Sequence, residues 1–349
     1  MRAWWLLPTL CATACYRPQP LDPRAVLEEQ RAAAGPRGPG AVAGALHAEE
    51  AVELARRHNP DLRALRPLRR AAEGELIAAR AIDNPTVSLQ LSHLQRAATG
   101  GVGWELELGW RPPQPWAWAA QGAAAQAGAT AVEGEIAELE LQLALAVRGA
   151  HADLLAAQDQ LTLVERALAN RRRIVELLDQ RVAMGASTRL DQGLGRLALT
   201  QLERDRDEQA ARVLTAGRTL AELVGVPGPL VAAGAIPEEP RPPRELEELE
   251  ETAITARPAL AAARARYDQR EQLLRLEHAN RWPWFRLTGA PRYRFNWTQD
   301  NPSDFIVGVQ ITAPLWNWNS GPIRIAEALR DQQRERVHKV VASLRRHAA

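Results

Sequence analysis

The sequence predicts a mainly α-helical protein with a small β part: a long coiled-coil helical hairpin joined to four amphipathic strands. Three observations carry that prediction. Between Pro115 and Met184 there is almost no helix breaker apart from scattered Gly, and apolar residues recur at alternating spacings of three and four. Four shorter stretches switch to a period of two, the signature of strands with unlike faces. The chain also repeats itself. Pro60, Leu62, Pro85 and Leu89 recur at one constant offset as Pro258, Leu260, Pro283 and Leu287, and each copy runs helix, strand, strand, helix.

Composition agrees with that outline. Ala, Leu, Arg, Glu and Gln dominate and aromatics make up 5%, which suits long helices with thin seams rather than a thick core. With 44 basic and 42 acidic residues the net charge is +2, so no electrostatic footprint for nucleic acid is present. Lys339 is the only lysine among those basic residues.

The N-terminus reads as an export signal. Arg2 precedes the apolar run Ala3 to Leu10, and residues 1–14 fit a signal peptide. Ala12-Thr13-Ala14-Cys15 allows two endings: a signal-peptidase site of the A-x-A kind, or a bacterial lipobox in which Ala12 replaces the usual Leu and Cys15 takes a lipid. The second is the expectation adopted. Cys11 and Cys15 are the only cysteines, so the body of the chain holds neither a disulfide nor a cysteine metal site. No other segment reaches the ~20 apolar residues of a spanning helix. Residues 15–45, rich in Pro, Gly and Arg, are expected as an extended, lipid-anchored linker. The first repeat is assigned to residues 46–235 and the second, shorter one to 236–349.

Helical pattern begins near Leu46 and restarts at Asn59-Pro60, a capping residue followed by a first-turn proline. The period changes after Asp83-Asn84-Pro85. Val87, Leu89 and Leu91 alternate with Ser88 and Gln90; beyond a Gly-rich turn, Trp104, Leu106, Leu108 and Trp110 alternate with Glu105 and Glu107. The second copy sets Phe285, Leu287, Tyr293, Phe295 and Trp297 against Arg286, Thr288, Arg292, Arg294 and Asn296, then Phe305, Val307, Val309 and Ile311 against Gly308, Gln310 and Thr312. Strands of roughly 7–13 residues match the ~9–11 residues of a membrane barrel crossing. A soluble antiparallel sheet with one wet face would alternate in the same way. Aromatics at the strand ends (Trp104, Trp110, Trp282, Trp284, Trp297, Trp316, Trp318) favour the membrane, where they form interfacial belts. So do the prolines that end pairing at the strand-to-helix junctions.

The following helix keeps a heptad at Ile136, Leu139, Leu143, Ala146 and Ala150. After a slip of one residue it keeps it again at Leu154, Ala157, Leu161, Val164 and Leu168. At about 70 residues it is on the order of 100 Å long. It ends at Met184-Gly185, with Gly185 suited to a left-handed cap and Ser187 or Thr188 to the next N-cap. The return helix, Thr188 to Val224, and the helix before the first strands, His47 to Ala81, are each about half as long. Stacked end to end, they would line the long one.

No catalytic constellation is present. His47, His58, His93, His151, His278, His338 and His347 are dispersed, without H-E-x-x-H spacing, and there is neither a G-x-S-x-G elbow nor a Walker loop. The expectation is no enzyme, no cofactor and no bound metal. The acidic run from Glu245 to Glu251 reads as a solvated helix face.

Several motifs, in order along the chain, resemble the TolC-type outer membrane efflux protein family. They are Asn59-Pro60-Asp61-Leu62 and its echo Arg257-Pro258-Ala259-Leu260; Arg181 to Ser187 leading to Leu190-Asp191; Leu220-Ala221-Glu222-Leu223-Val224-Gly225; and Ala313-Pro314-Leu315-Trp316-Asn317-Trp318-Asn319-Ser320-Gly321. The wording of the last, and the Pro-Asn pairing before the first strand, leans toward the heavy-metal (cobalt–zinc–cadmium) members. The resemblance implies a homotrimer in the bacterial outer membrane: twelve strands in one barrel, continued by a periplasmic helical tunnel. It implies an outer membrane channel of a tripartite efflux system, a passive duct for small molecules or metal ions. Its partners would be a periplasmic adaptor and an inner-membrane pump of RND or ABC type, with outer membrane lipid around it and no nucleic acid. Oligomerisation also follows from strand count, since four strands do not close and eight is about the minimum. Met184, Gly185, Ala186, Ser187, Thr188 and Leu190 are the expected adaptor-docking tip. Glu105, Glu107, Arg286, Arg292 and Arg294 are the expected channel-facing strand residues, the two glutamates favouring cations.

Two other classes share some of these features. A type I protein secretion channel has the same architecture. A periplasmic coiled-coil lipoprotein or adaptor shares the signal and hairpin but lacks four aromatic-ended strands. Aligning Pro112 with Pro314 sets Ala349 against about Val147 of the first copy. The rest of that copy, including a second hairpin tip, is therefore expected to have no counterpart here.

Overall fold

Helices carry most of the described chain, as the heptads and the Ala-rich composition predict. The computed structural model describes residues 21–33, 44–94, 101–235, 251–252, 254–296 and 303–348. It divides into two interleaved contact units, one of Met1–Asn59 with Ala146–Ile236, the other of Pro60–Leu145 with Pro237–Ala349.

In the first unit, helix α1 spans Pro23–Ala33. This segment was expected as extended linker, and the helix has a local cause. Asp22 accepts a hydrogen bond from the Arg24 N–H at 2.9 Å and Pro23 occupies the first turn, so a capped start precedes a run of good helix formers. Strand β1 (Ala45–Leu46) is followed by α2 (Ala48–His58). The long helix α4 runs Pro115–Ala183 and contributes its residues from Ala146 onward here. Helix α5 (Arg189–Val224) returns, and β4 (Val231–Ala232) pairs in parallel with β1. Sequence periodicity gave no warning of so short a pair. It is held by side chains: Gln158 donates to the Ala232 carbonyl at 3.3 Å and accepts from its N–H at 3.0 Å, and the buried His151 sits 2.8 Å from the Leu46 carbonyl.

The buried set of this unit includes Leu46, Val52, Ala55, Val147, Leu154, Leu220 and Val224. The seam expected at Ala146 and Ala150 therefore falls one residue later, at Val147 and His151. Val147 is fully buried, and His151 has a partner there. Gly225 at φ 80° closes α5: its N–H bonds the Glu222 carbonyl at 3.1 Å and the Val226 N–H bonds Ala221 at 3.0 Å, the doubly bonded left-handed cap. A Cβ at Gly225 would lie 2.6 Å from the His58 carbonyl oxygen. Asn59 Nδ2 donates to the Leu223 carbonyl at 2.9 Å. The Asn-Pro signature thus fastens α2 to the end of α5.

The second unit contains the strands of both copies of the repeat and the helices that flank them. Helix α3 (Pro60–Arg80) leads into β2 (Thr86–Leu94) and β3 (Gly101–Trp110), then into α4. Helix α6 (Pro258–Ala279) leads into β5 (Trp284–Asn296), β6 (Ser303–Thr312) and α7 (Ser320–Ala348). The strands form one antiparallel sheet in the order β2-β3-β5-β6. Among the described residues, no helix is long and apolar enough to cross a membrane.

Helix packing here uses small residues and paired charge. A Cβ on Gly134 of α4 would come within 2.9 Å of Ala262 on α6, so glycine permits a close approach. Arg257, the residue before α6, has no capping side chain of its own. Glu138 of α4 supplies the cap, accepting from the Ala259 N–H at 3.1 Å and from Arg257 Nη2 and Nε at 2.9 and 3.1 Å. Burial pushes the Glu138 carboxyl up, but Arg257, Gln142 and the Ala259 N–H together hold it below the ordinary carboxylate range. Asn319 precedes α7 at φ 58°, and its amide donates to the Glu277 carbonyl and carboxylate, each at 2.8 Å.

Candidate functional site

The residues singled out in the sequence collect in two places, one in each unit. In the sheet, pleating sends alternate residues to opposite faces. The register aligns Gln90 with Glu105, Glu105 with Arg292, and Arg292 with Asp304. Ser88 aligns with Glu107, and Arg286 with Gln310. Glu105, Glu107, Arg286 and Arg292 therefore share one face, and the backbone of Arg294 pairs with Gly103. Arg292 Nε donates to Glu105 Oε2 at 2.9 Å, an opposite-charge cross-strand pair. Small residues crowd the same face: a Cβ on Gly308 would meet Thr288 Oγ1 at 2.5 Å, and Ala290 is buried.

The other face is mainly apolar and largely uncovered. Val87, Leu89, Leu91, Leu108, Phe285, Phe305, Val307, Val309 and Ile311 are all exposed, Val307 by 73% and Leu91 by 71%. The Arg292 and Glu105 side chains on the polar face are 32% and 27% exposed. A sheet solvated by water covers its apolar face and wets its polar one. Here the apolar face has no cover, while the polar face is crowded only along β3 and β5; Thr86, Ser88, Gln90, Asp304 and Gln310 on the outer strands are exposed.

Aromatics mark both ends of the strands. Trp104 stacks on Tyr293 with ring centroids 6.1 Å apart. At the helix end, Trp110, Trp116, Trp282, Trp316 and Trp318 are exposed, while the Arg111 guanidinium lies 4.7 Å over Trp284 and that of Arg281 6.0 Å over Trp318. Such rings, apolar in body and polar at one edge, suit a membrane–water boundary. Trp297 lies outside the described residues.

In the other unit, the turn between α4 and α5 is built as its sequence predicts. Gly185 takes φ 75°; its N–H bonds the Val182 carbonyl at 3.0 Å and the Ala186 N–H bonds Arg181 at 2.7 Å, the same doubly bonded cap as at Gly225. Thr188 caps α5 by accepting from the Asp191 N–H at 3.1 Å. Asp191 closes the reciprocal bond, accepting from the Thr188 N–H at 3.1 Å, from the Thr188 hydroxyl at 2.6 Å and from Ser187 at 3.1 Å. These donors, Thr188 foremost, hold the Asp191 carboxyl below its ordinary range. With the polar groups of the turn tied to one another, Met184 and Leu190 stand out, 74% and 71% exposed. One turn and two turns further along α5, Leu194 and Leu197 are exposed as well.

Asp191 is thus the organiser of the tip; the sequence reading quoted it in the Leu190-Asp191 motif but did not count it among the docking residues. The Thr-x-x-Asp spacing of a capping box could have found it. Asp304, aligned with Arg292, was likewise not singled out. Cys15 lies outside the described residues. Among the described residues, no three His, Cys, Asp or Glu side chains come together as a metal site.

No protein-family model matches the chain. Its fold is that of the outer membrane efflux channels. It superposes on CusC with a TM-score of 0.69 at 16% identity, covering 87% of this chain and 76% of that one. On the outer-membrane channel OprN the TM-score is 0.69 at 19% identity, covering 86% and 72%. On VceC of Vibrio cholerae it is 0.63 at 20% identity, covering 85% and 75%. In sequence the chain is similar to the cobalt-zinc-cadmium resistance protein CzcC of Cupriavidus metallidurans, 27% identical over 307 residues, which are 84% of this chain and 70% of CzcC. The resemblance to TolC-type outer membrane efflux proteins, and its lean toward the heavy-metal members, thus meets a structural and a sequence counterpart.

Proposed function

We propose that this chain is the outer membrane channel subunit of a tripartite efflux system, a passive duct for metal ions or small molecules that performs no chemistry of its own. The observation that supports it is the uncovered apolar face of the sheet, with the Glu105–Arg292 pair half-buried on the opposite face of the two central strands and aromatics at both strand ends. Lipid is the solvent that stabilises this arrangement. Four strands do not close, so three copies giving a twelve-stranded barrel fit the count. Glu105, Glu107, Arg286, Arg292 and Arg294 then line the lumen. Similarity to CzcC favours divalent cations such as cobalt, zinc or cadmium as cargo, with the glutamates as the cation-favouring groups. Energy comes from an inner-membrane pump reached through a periplasmic adaptor.

The test is expression in a bacterium that lacks its own metal-efflux channel but retains the adaptor and pump. Outer membrane trimers and restored tolerance to the three cations are expected. Chain recovered only as a soluble periplasmic monomer would refute the assignment.

Met184 to Leu190 form the docking tip in this proposal. Gly185→Glu with Ser187→Glu should abolish tolerance while trimers still assemble; undiminished tolerance would move the adaptor elsewhere. Cys15 carries the lipid anchor, so Cys15→Ser should remove a lipid mass shift on the mature N-terminus.

A further inference from the structure

Within the unit that carries the sheet lies a groove whose chemistry the duct does not use. It lies between α4 and α6 where both meet the strands, and is lined by Trp116, Ala120 and Ala123 on one side and Arg275, His278 and Trp282 on the other. It is not the lumen side. Arg111 and Trp284 share the parity of the polar sheet face, and they line a separate depression with Ala117, Trp118 and Gln121 of α4. At 100° per residue those three occupy roughly the opposite face of α4 from Trp116, Ala120 and Ala123. The groove is therefore on the side of the bare apolar face.

Its polarity is graded along the helices. Helix α6 runs toward the sheet and α4 away from it, so exposed Trp116 and Trp282 stand together at the strand end. Arg275 stands two turns back, about 10 Å by helix rise. The alanines between leave a shallow apolar floor. The Arg275 side chain is 63% exposed. Its contacts are long: 4.0 Å from Nε to Glu271 and 3.5 Å from Nη1 to Gln272. His278 adds ring nitrogens beside it. A cation two turns on the watery side of a tryptophan pair, with an alanine floor between, complements a lipid whose phosphate faces water and whose tail continues onto the bare sheet.

We propose that this groove seats one anionic phospholipid of the leaflet nearest the helices, with its phosphate on Arg275 and His278 and an acyl chain passing between Trp116 and Trp282. This rests on the channel assignment, because only a membrane-embedded sheet brings lipid to that level. The purified full chain in mild detergent would be equilibrated with phosphatidylglycerol or with phosphatidylcholine of the same acyl chains, and retained lipid counted by native mass spectrometry. Preferential retention of phosphatidylglycerol is expected. Arg275→Gln should lower it about fivefold, the worth of one basic residue beside an anionic leaflet, and Arg275→Lys should restore most of it. Trp282→Ala should lower retention of both lipids. Equal retention of the two lipids, or indifference to Arg275→Gln, would overturn the proposal. Displacement by millimolar inorganic phosphate would also overturn it, leaving a free-phosphate site in its place. Insertion into liposomes, measured in parallel, separates the two levels: chain that never inserts refutes the channel itself, while inserted chain without headgroup preference refutes the groove alone.

Discussion

The two β structures of this molecule are built for opposite solvents. The β1–β4 pair is two residues long on each strand, buries Leu46 and Ala232, and is held from the side by Gln158 and His151. Such a pair has too few ladder bonds to persist alone; it exists because the surrounding helices cover its apolar side chains and meet its polar groups. The four-stranded sheet has a ladder of 9 to 13 residues per strand and leaves its apolar face uncovered. The short pair has its polar groups met by the helices around it, whereas the sheet keeps β2 and β6 as open edges. The difference lies in where the apolar side chains point, and that is what a lipid environment selects.

Changing charge on the bare face gives the sharpest break in this comparison. Val307→Arg should cost about 2–4 kcal/mol of folding free energy if that position lies near the bilayer midplane, read as loss of insertion into vesicles in a urea titration. In a water-facing sheet the same exposed position would accept arginine within about 0.5 kcal/mol.

The helix packing beneath the sheet responds to a different lever. Glu138→Ala removes the cap of α6 and leaves Arg257 without its partner, and should cost roughly 2–3 kcal/mol in thermal or denaturant unfolding. The pH dependence has a definite sign. The Glu138 carboxyl is held below its ordinary range in the folded state, so its contribution is complete above the unfolded value and is lost as pH falls through the depressed one. The stability gap between wild type and Glu138→Gln should narrow on acidification and not on alkalinisation.

In the hairpin unit, two left-handed glycines with the same cap predict unequal costs. Gly225→Ala combines positive φ with a Cβ 2.6 Å from the His58 oxygen and should cost roughly 2–3 kcal/mol. Gly185→Ala, with nothing within 4 Å, should cost only the conformational part, about 1 kcal/mol. Thr188→Ala, which deletes the N-cap of α5, belongs at the low end at about 1 kcal/mol. Equal melting shifts for the two glycines would mean that the contact with α2 is not tight.

What the sequence disclosed follows from how each feature is encoded. The strands, their faces and the long helix were legible because alternation and heptads run over many residues. The cap at Gly185 was legible because only glycine adopts that φ cheaply. Helix α1 was obscured by the Pro and Gly on either side of it. The β1–β4 pair and the borrowed cap at Glu138 depend on residues distant in sequence, and no local pattern announces them. The seam shift to Val147 and His151 has the same origin, since His151 is placed by a carbonyl on β1. In the site, the polar strand residues were found by period, whereas Asp191 was read only as part of a motif, because its role is to hold its neighbours.

The Glu105–Arg292 bond joins positions 187 residues apart, while β2–β3 and β5–β6 are pairs of strands that follow one another in the chain. The sheet therefore has two local halves and one distant seam, and a lone hairpin is only marginally stable in water. Completing the seam is the slow, topologically costly step. Until it closes, β3 and β5 present unpaired edges beside a bare apolar face, the condition under which chains aggregate. Pulsed hydrogen exchange during assembly should protect the amides within each hairpin before those shared by β3 and β5. The time between the two events is the interval in which this chain is most prone to aggregate.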